Sequence, residues 1–215
     1  VKDALGRFAC TRELITQPVK LPETVPLTDE ATEWLLNRGI TVPATYGFAE
    51  GAEGMLEGRI VIPFCRPSDF QPVYWQARSY KSRLPKYFNA PATPRALYYL
   101  PAPASATLVL VEGVFDAIAI RQLASLDVAA LLGTSLDITA GRMLLDIAPA
   151  RIVVWLDRDA LPKAIKLASK LRGLLGTEVG MVFSTSSKDP ADLCLTDPAQ
   201  AMDLLDQSMG HQVAL

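Results

Sequence analysis

The hydrophobic pattern changes character near the middle of the chain. From residue 107 onward, short apolar runs alternate with stretches of helical periodicity. TLVLVE (107–112), DVAALLG (127–133), RIVVWLD (151–157) and EVGMVF (178–183) read as strands, and 114–125, 138–148, 160–175 and 197–209 as helices. An unbroken apolar run suits a strand covered on both faces, and the alternation supplies the crossover helices that a parallel sheet requires. Pro162 falls in the first turn of the third helix, where its missing N–H is tolerated.

Ahead of this region the pattern is mixed. Thr28 is a helix cap, Asp29 and Glu30 suit the first turn, Ala31, Trp34 and Leu35 form an apolar stripe, and Gly39 is a stop. RIVIPF (59–64) reads as a strand. So does VYWQAR (73–78), with Val73, Trp75 and Ala77 on one face and Tyr74, Gln76 and Arg78 on the other. Trp75 is expected in the core. The stretch 81–100 reads as loop, punctuated by Pro85, Pro91 and Pro94, and 1–27 as a leader or linker with Pro18, Pro22 and Pro26. The expected organisation is a leader at 1–27, a basic α+β unit at 28–104, an α/β unit at 105–195, and a C-terminal helix and tail at 196–215.

Composition narrows the possibilities. At roughly 100–200 residues per domain, 215 residues make one domain or two small ones. Half the residues are hydrophobic and a fifth are charged, which excludes a disordered chain. No run of roughly 18 apolar residues occurs, so no membrane partner is expected. The first 20 residues lack an apolar core of signal-peptide type, and a cytoplasmic location is expected. Cys10, Cys65 and Cys194 stand far apart without CxxC spacing, so neither zinc nor a disulfide framework is expected. His211 is the only histidine, which removes histidine triads and multi-histidine metal sites.

The net charge of −2 conceals a segregation. From Arg59 to Arg95 the chain carries Arg59, Arg66, Arg78, Lys81, Arg83, Lys86 and Arg95 against Asp69 alone. Tyr74, Trp75, Tyr80, Tyr87 and Phe88 are interleaved with these cations. Cations with aromatics suit a single nucleic-acid strand, held through its phosphates and stacked bases. Arg78 is the stronger phosphate candidate.

The acids are placed differently. Ligands of doubly wound sheets bind beyond the carboxyl ends of the strands. Glu112 ends the first strand, and Asp116 follows one turn into the next helix. Asp157 ends the third, with Asp159 two residues on, where an extended segment would point both side chains the same way. Beyond the fourth lie Lys188, Asp189 and Asp192. Asp189, before Pro190, also suits a helix cap. So many like charges on one rim repel unless something positive sits among them. The simplest candidate is Mg²⁺ or Mn²⁺, held by a few carboxylates with water and phosphate.

Glu112-Gly-Val-Phe-Asp116 and Asp157-Arg-Asp159 resemble the two signature motifs of the TOPRIM fold, shared by DnaG-type primases, type IA and II topoisomerases, OLD-type nucleases and RecR-type repair proteins. Gly58-Arg59-Ile-Val-Ile-Pro-Phe64 resembles the strand opening the DnaG catalytic core. Gln76-Ala77-Arg78 and Pro85-Lys86-Tyr87-Phe88-Asn89-Ala90-Pro91 resemble its basic stretch, Leu132-Gly133-Thr134-Ser135 its LGTA turn, and Trp34-Leu-Leu-Asn-Arg-Gly-Ile40 its YLxxRGI helix. The likeness runs from about Thr28 to Asp192. Two departures stand out: Ala160-Leu161-Pro162 replaces the usual Ala-Gly, and Asp189-Pro190-Ala191-Asp192 displaces the second acid by one. With Lys188 in front, that version is closer to phage and plasmid primases.

The resemblance implies an α/β fold: a TOPRIM domain with a parallel, Rossmann-like sheet flanked by helices, preceded by a small mixed α+β primase N-terminal subdomain. It implies a DNA primase catalytic core making RNA primers by Mg²⁺-dependent nucleotidyl transfer. Glu112, Asp157 and Asp159 would hold metal, with Asp116 and Asp189 in support, and a second ion or Lys188 would hold pyrophosphate. Glu112 as general base is an open alternative. Arg59, Arg78, Lys81, Arg83, Lys86, Tyr87 and Asn89 would bind nucleic acid or nucleotide. The implied partners are single-stranded DNA and NTPs, with a replicative helicase or a separate zinc-binding module as further candidates. A Mg²⁺-dependent TOPRIM nuclease and a non-catalytic TOPRIM binding module are the rival readings.

Overall fold

A five-stranded antiparallel sheet occupies the first half of the chain. Its strands are β1 (Thr24–Val25), β2 (Ala49–Gly51), β3 (Arg59–Cys65), β4 (Pro72–Ser79) and β5 (Tyr87–Asn89), neighbouring one another in sequence order. The computed structural model describes residues 17–183 and 189–210. Lys188, His211 and residues 1–16 of the expected leader lie outside them. The described chain forms two compact units that divide between Ala96 and Leu97.

In the first unit, β3 is the central strand, and Ile60, Val61, Ile62 and Phe64 are all buried. Helix α1 (Asp29–Leu36) sends Ala31 and Leu35 into the core. Thr28 caps it as expected: its Oγ1 accepts from Ala31 N at 3.3 Å and donates to Glu50 Oε2 at 2.8 Å. Glu50 is buried on β2 and also accepts from the Tyr80 hydroxyl. Burial alone would push the Glu50 carboxyl up, but the hydrogen bonds from Tyr80 and Thr28 outweigh it and leave the group below its ordinary value. One carboxylate thus ties the cap of α1 to two regions of the sheet.

Three expectations change here. Part of the leader at 17–27 is structural, because β1 pairs with β2 and Val19 N donates to Pro72 O at 2.8 Å. The loop-like stretch 81–100 contains two short strands, β5 and β6 (Tyr98–Leu100). Trp75 is half-buried, whereas Tyr74 is buried edge-on against Phe64, their ring centroids 5.3 Å apart. Both faces of β4 are partly covered, which blurs the alternation that separated these residues.

The second sheet has the order β10-β9-β7-β8-β6, from β7 (Thr107–Val111), β8 (Asp127–Ala130), β9 (Arg151–Trp155) and β10 (Glu178–Met181) with β6 at one edge. All pairings are parallel except that of β6 with β8. Leu108 to Val111 on central β7 are fully buried, as an apolar run covered on both faces should be. The helices are α2 (Val114–Leu123), α3 (Ile138–Ile147), α4 (Leu161–Leu175), α5 (Pro190–Thr196) and α6 (Pro198–Gly210). Edge strand β6 is secured to β8 by Asp127, which accepts from the Tyr99 hydroxyl at 2.9 Å and from Ala102 N at 2.7 Å. This pairing places the division between the units earlier than the 104/105 boundary expected from the pattern.

At the other edge, Arg151 pairs with Glu178 at 2.6 Å and donates to Met209 O. Gly180 permits close packing of α6: a Cβ there would lie 2.3 Å from Ser208 O. Gly180→Ala should therefore destabilise the protein by about 1–3 kcal/mol through overpacking. Thermal unfolding measures it, and an unchanged midpoint would contradict this packing. Among the described residues no helix is long and apolar enough to cross a membrane.

Candidate active site and nucleic-acid face

The chain leaves β7 toward β8 on one side, while β9 lies on the other. The carboxyl ends of β7 and β9 therefore flank a topological switch point, where open α/β sheets bind ligands. Val111 and Trp155 are paired in register there, so Glu112 and Asp157 emerge at the same edge from adjacent strands.

The motif Glu112-Gly-Val-Phe-Asp116 has a local physical reason. Gly113 caps α2, and its N–H donates to Asp116 Oδ2 at 3.1 Å. A Cβ at position 113 would come within 2.9 Å of that oxygen, so a larger residue there would push the Asp116 carboxylate aside. Asp116 Oδ1 accepts from Ala191 N at 3.1 Å. Asp116 thereby braces the start of α2 against the start of α5, and both its oxygens are occupied by backbone donors.

Asp157 and Asp159 do not share an extended segment. Ala160 N donates to Asp157 O at 2.9 Å, and Arg158–Ala160 form a single 3₁₀ turn. The expected two-residue alternation is lost, leaving Asp157 half-buried and Asp159 exposed. Asp157 Oδ1 is buried without a hydrogen-bond partner. Asp189 caps α5, accepting from Asp192 N at 2.7 Å, and Asp192 is exposed.

Burial and neighbouring charges raise three of these acids. Burial, then the charges of Asp157 and Asp159, push Glu112 up, while Lys163 in the first turn of α4 draws it back. Burial, then Asp189 and Asp159, push Asp157 up. Asp116 is pushed up to about 7 by burial foremost, then by Asp189 and more weakly by Asp157, against the lowering hydrogen bonds from Ala191 and Gly113. A folded value above the unfolded one means that the folded chain holds the extra proton. In metal-free protein this stability is fully present below about pH 4 and lost as pH rises through about 7. The melting temperature measured without divalent ions should fall across that window, and Asp116→Asn should flatten the fall. An equally steep fall in the variant would contradict the assignment.

A hard divalent cation fits this donor set. The ligands on offer are carboxylate oxygens, one buried oxygen lacks a partner, and the mutual repulsion needs a positive charge. Among the described residues no three acids, cysteines or histidines converge into a ready-made cage. Mg²⁺ commonly takes one or two carboxylates and completes its shell with water and substrate phosphate.

The basic residues divide into two kinds. Arg59 is a correction to the expected nucleic-acid set: it is 2% exposed, and its Nε and Nη1 donate to Met55 O and Pro85 O at 3.0 and 2.7 Å. Its position in the apolar strand β3 forces it inward, where the two carbonyls satisfy it. Lys81 pairs with Glu30 at 3.0 Å, and Arg83 reaches Glu57 O at 3.4 Å. Asn89 is exposed and accepts from Gln76 Nε2 at 3.0 Å.

Arg78, Lys86 and Tyr87 belong to a cation–aromatic ladder. Arg38 lies 4.1 Å over Trp34, and Arg78 lies 5.6 Å from Trp34 and 4.7 Å from Tyr87. Lys86 lies 5.8 Å from Tyr87. The Nε of Arg78 is buried without a hydrogen-bond partner. Sequence reasoning missed Trp34 and Arg38 as site residues, although their i, i+4 spacing, with Arg38 in the turn just past the end of α1, could have joined them. It also missed Lys163 beside Glu112.

Residues 109–194, which include the acids just described, match the family described as Toprim-like. No curated protein is similar to the chain. Among solved structures, a DnaG catalytic core matches with a TM-score of 0.69 and 20% identity over 86% of this chain and 74% of that one. A DnaG primase catalytic domain bound to single-stranded DNA matches at 0.62 and 21% over 94% and 79%. The zinc-binding and RNA polymerase domains of Aquifex aeolicus primase match at 0.57 and 22% over 86% of this chain, which spans 50% of that one. Residues 109–194 thus resemble a Toprim-like domain, and the chain has the fold seen in DnaG primase catalytic cores.

Proposed function

We propose that the chain is a primase catalytic core, which joins ribonucleotides into short primers on a single-stranded DNA template. The observation that carries this reading is the convergence of Glu112 and Asp157 at the switch point of the Toprim-like sheet, both carboxyls pushed up by burial and by neighbouring acids. The cation–aromatic ladder on the first unit supports a strand-binding role alongside it.

In this reading Glu112 and Asp157 hold Mg²⁺, with exposed Asp159 contributing. When bound, Mg²⁺ supplies Lewis-acid polarisation of the α-phosphate and lowers the pKa of the attacking 3′-hydroxyl. As the alternative to holding the ion, Glu112, pushed up in the metal-free protein by burial and neighbouring acids, would take the proton from that hydroxyl. The 3′-oxygen attacks the α-phosphorus and pyrophosphate leaves, for which the sequence offers a second ion or Lys188. Asp116 and Asp189 position the start of α5 through their backbone hydrogen bonds. Arg78 and Lys86 neutralise phosphates of the strand, while Trp34 and Tyr87 offer ring faces to its bases.

The test is direct. Incubated with single-stranded DNA, labelled NTPs and Mg²⁺, the protein should build short labelled products. Shortening of the DNA would point instead to a nuclease, and salt-sensitive binding without chemistry to a binding module.

A further inference from the structure

Leu84 and Met55, at 89% and 76%, are the most exposed large apolar side chains among the described residues. They stand on neighbouring loops of the first unit. One buried guanidinium holds both loops, since Arg59 donates to Met55 O and to Pro85 O. Arg83 closes the same pair through Glu57 O. Arg59 lies 4.4 Å over Phe88, so the brace is itself packed from beneath. A scattered surface leucine needs no explanation. Two apolar tips on loops fixed by one buried arginine do need one.

The surroundings of Leu84 indicate what it meets. Lys81, Arg83 and Lys86 lie within three residues, all of them exposed, and Tyr87 follows. An apolar tip set among cations complements a polyanion that also has apolar faces, which is the chemistry of a nucleic-acid strand. Glu53 and Glu57 flank Met55, so the strand is favoured on the Leu84 side and the Met55 loop acts as a buttress.

We infer that Leu84 is a wedge that inserts between successive bases of a bound single strand, with Arg83 and Lys86 on the flanking phosphates. Apolar side chains wedge open base steps of duplex DNA in minor-groove binders, the unstacking offset by the added contact, and the stacked bases of a single strand offer the same kind of step. Here the wedge would hold one template step open, presenting the adjoining base unstacked. The inference rests on the strand-binding reading above and deepens it.

The experiment uses the full chain and single-stranded oligonucleotides carrying aminopurine, a fluorescent adenine analogue, at each position in turn. Affinity is read separately by anisotropy. The wild type should brighten aminopurine at one step, because unstacking relieves its quenching. Leu84→Ala should abolish the brightening and weaken binding only about tenfold, the worth of one buried leucine. Leu84→Phe should restore the signal. Equal brightening in Leu84→Ala, or tight wild-type binding with no brightened position, would overturn the wedge while leaving strand binding intact. Absence of wild-type binding would overturn both.

Discussion

Asp157→Asn should abolish primer synthesis by at least about 10³-fold and, at the same time, raise the melting temperature of the metal-free protein. The two effects have one cause. Asp157 carries a buried oxygen without a hydrogen-bond partner, and burial together with Asp189 and Asp159 pushes its carboxyl up. An ionised group in that position costs stability until a cation arrives. Asparagine keeps the shape, removes the charge and relieves the repulsion. On the proposed reading it would also remove a hard ligand of the divalent ion, and with it the stabilisation of charge at the reacting phosphate. A residue whose role was purely structural would show the opposite stability change. Thermal unfolding with and without Mg²⁺, beside a synthesis assay, checks both halves. Mg²⁺ should raise the wild-type midpoint more than that of the variant.

Arg78→Ala should weaken single-stranded DNA binding by about 30-fold, within the range of one lost stacking contact plus a phosphate contact. Arg78 is the middle rung of the ladder, lying between Trp34 and Tyr87. Its removal takes away a cation and the spacer between two rings. The plot of log affinity against log salt should become shallower by about 0.7, the share of one phosphate on a single strand. Arg78→Lys should restore the slope without restoring full affinity, because an ammonium keeps the charge but not the planar stacking. Fluorescence anisotropy across a salt series measures both. A slope unchanged in Arg78→Ala would remove Arg78 from the phosphate contacts.

Much of the second unit was legible in the sequence. Unbroken apolar runs marked β7 and β9 because strands in the middle of a parallel sheet are buried on both faces, and reading the residues that follow those runs reached Glu112 and Asp157 directly. The Gly113–Asp116 spacing was legible too, since it encodes a close turn. The relation of Asp157 to Asp159 was not. A period of two applies only while the chain stays extended, and here it turns at Arg158. In the first unit, charge was read as exposure. That misled for Arg59, whose guanidinium is satisfied by two backbone carbonyls that only the folded loops bring together. Strands β5 and β6 are three residues each and lie among prolines, too short for a pattern to emerge. The ladder of Arg38, Trp34, Arg78 and Tyr87 draws on a helix, the turn after it and two strands, so no local spacing could display it whole.

The central claim is template-directed synthesis, and a homopolymeric template tests it most directly. With single-stranded poly(dT), Mg²⁺ and each labelled NTP offered separately, the protein should incorporate ATP alone into short, alkali-labile products, and Asp157→Asn should incorporate none. Incorporation indifferent to the template, or loss of poly(dT) with no new strand, would contradict the account.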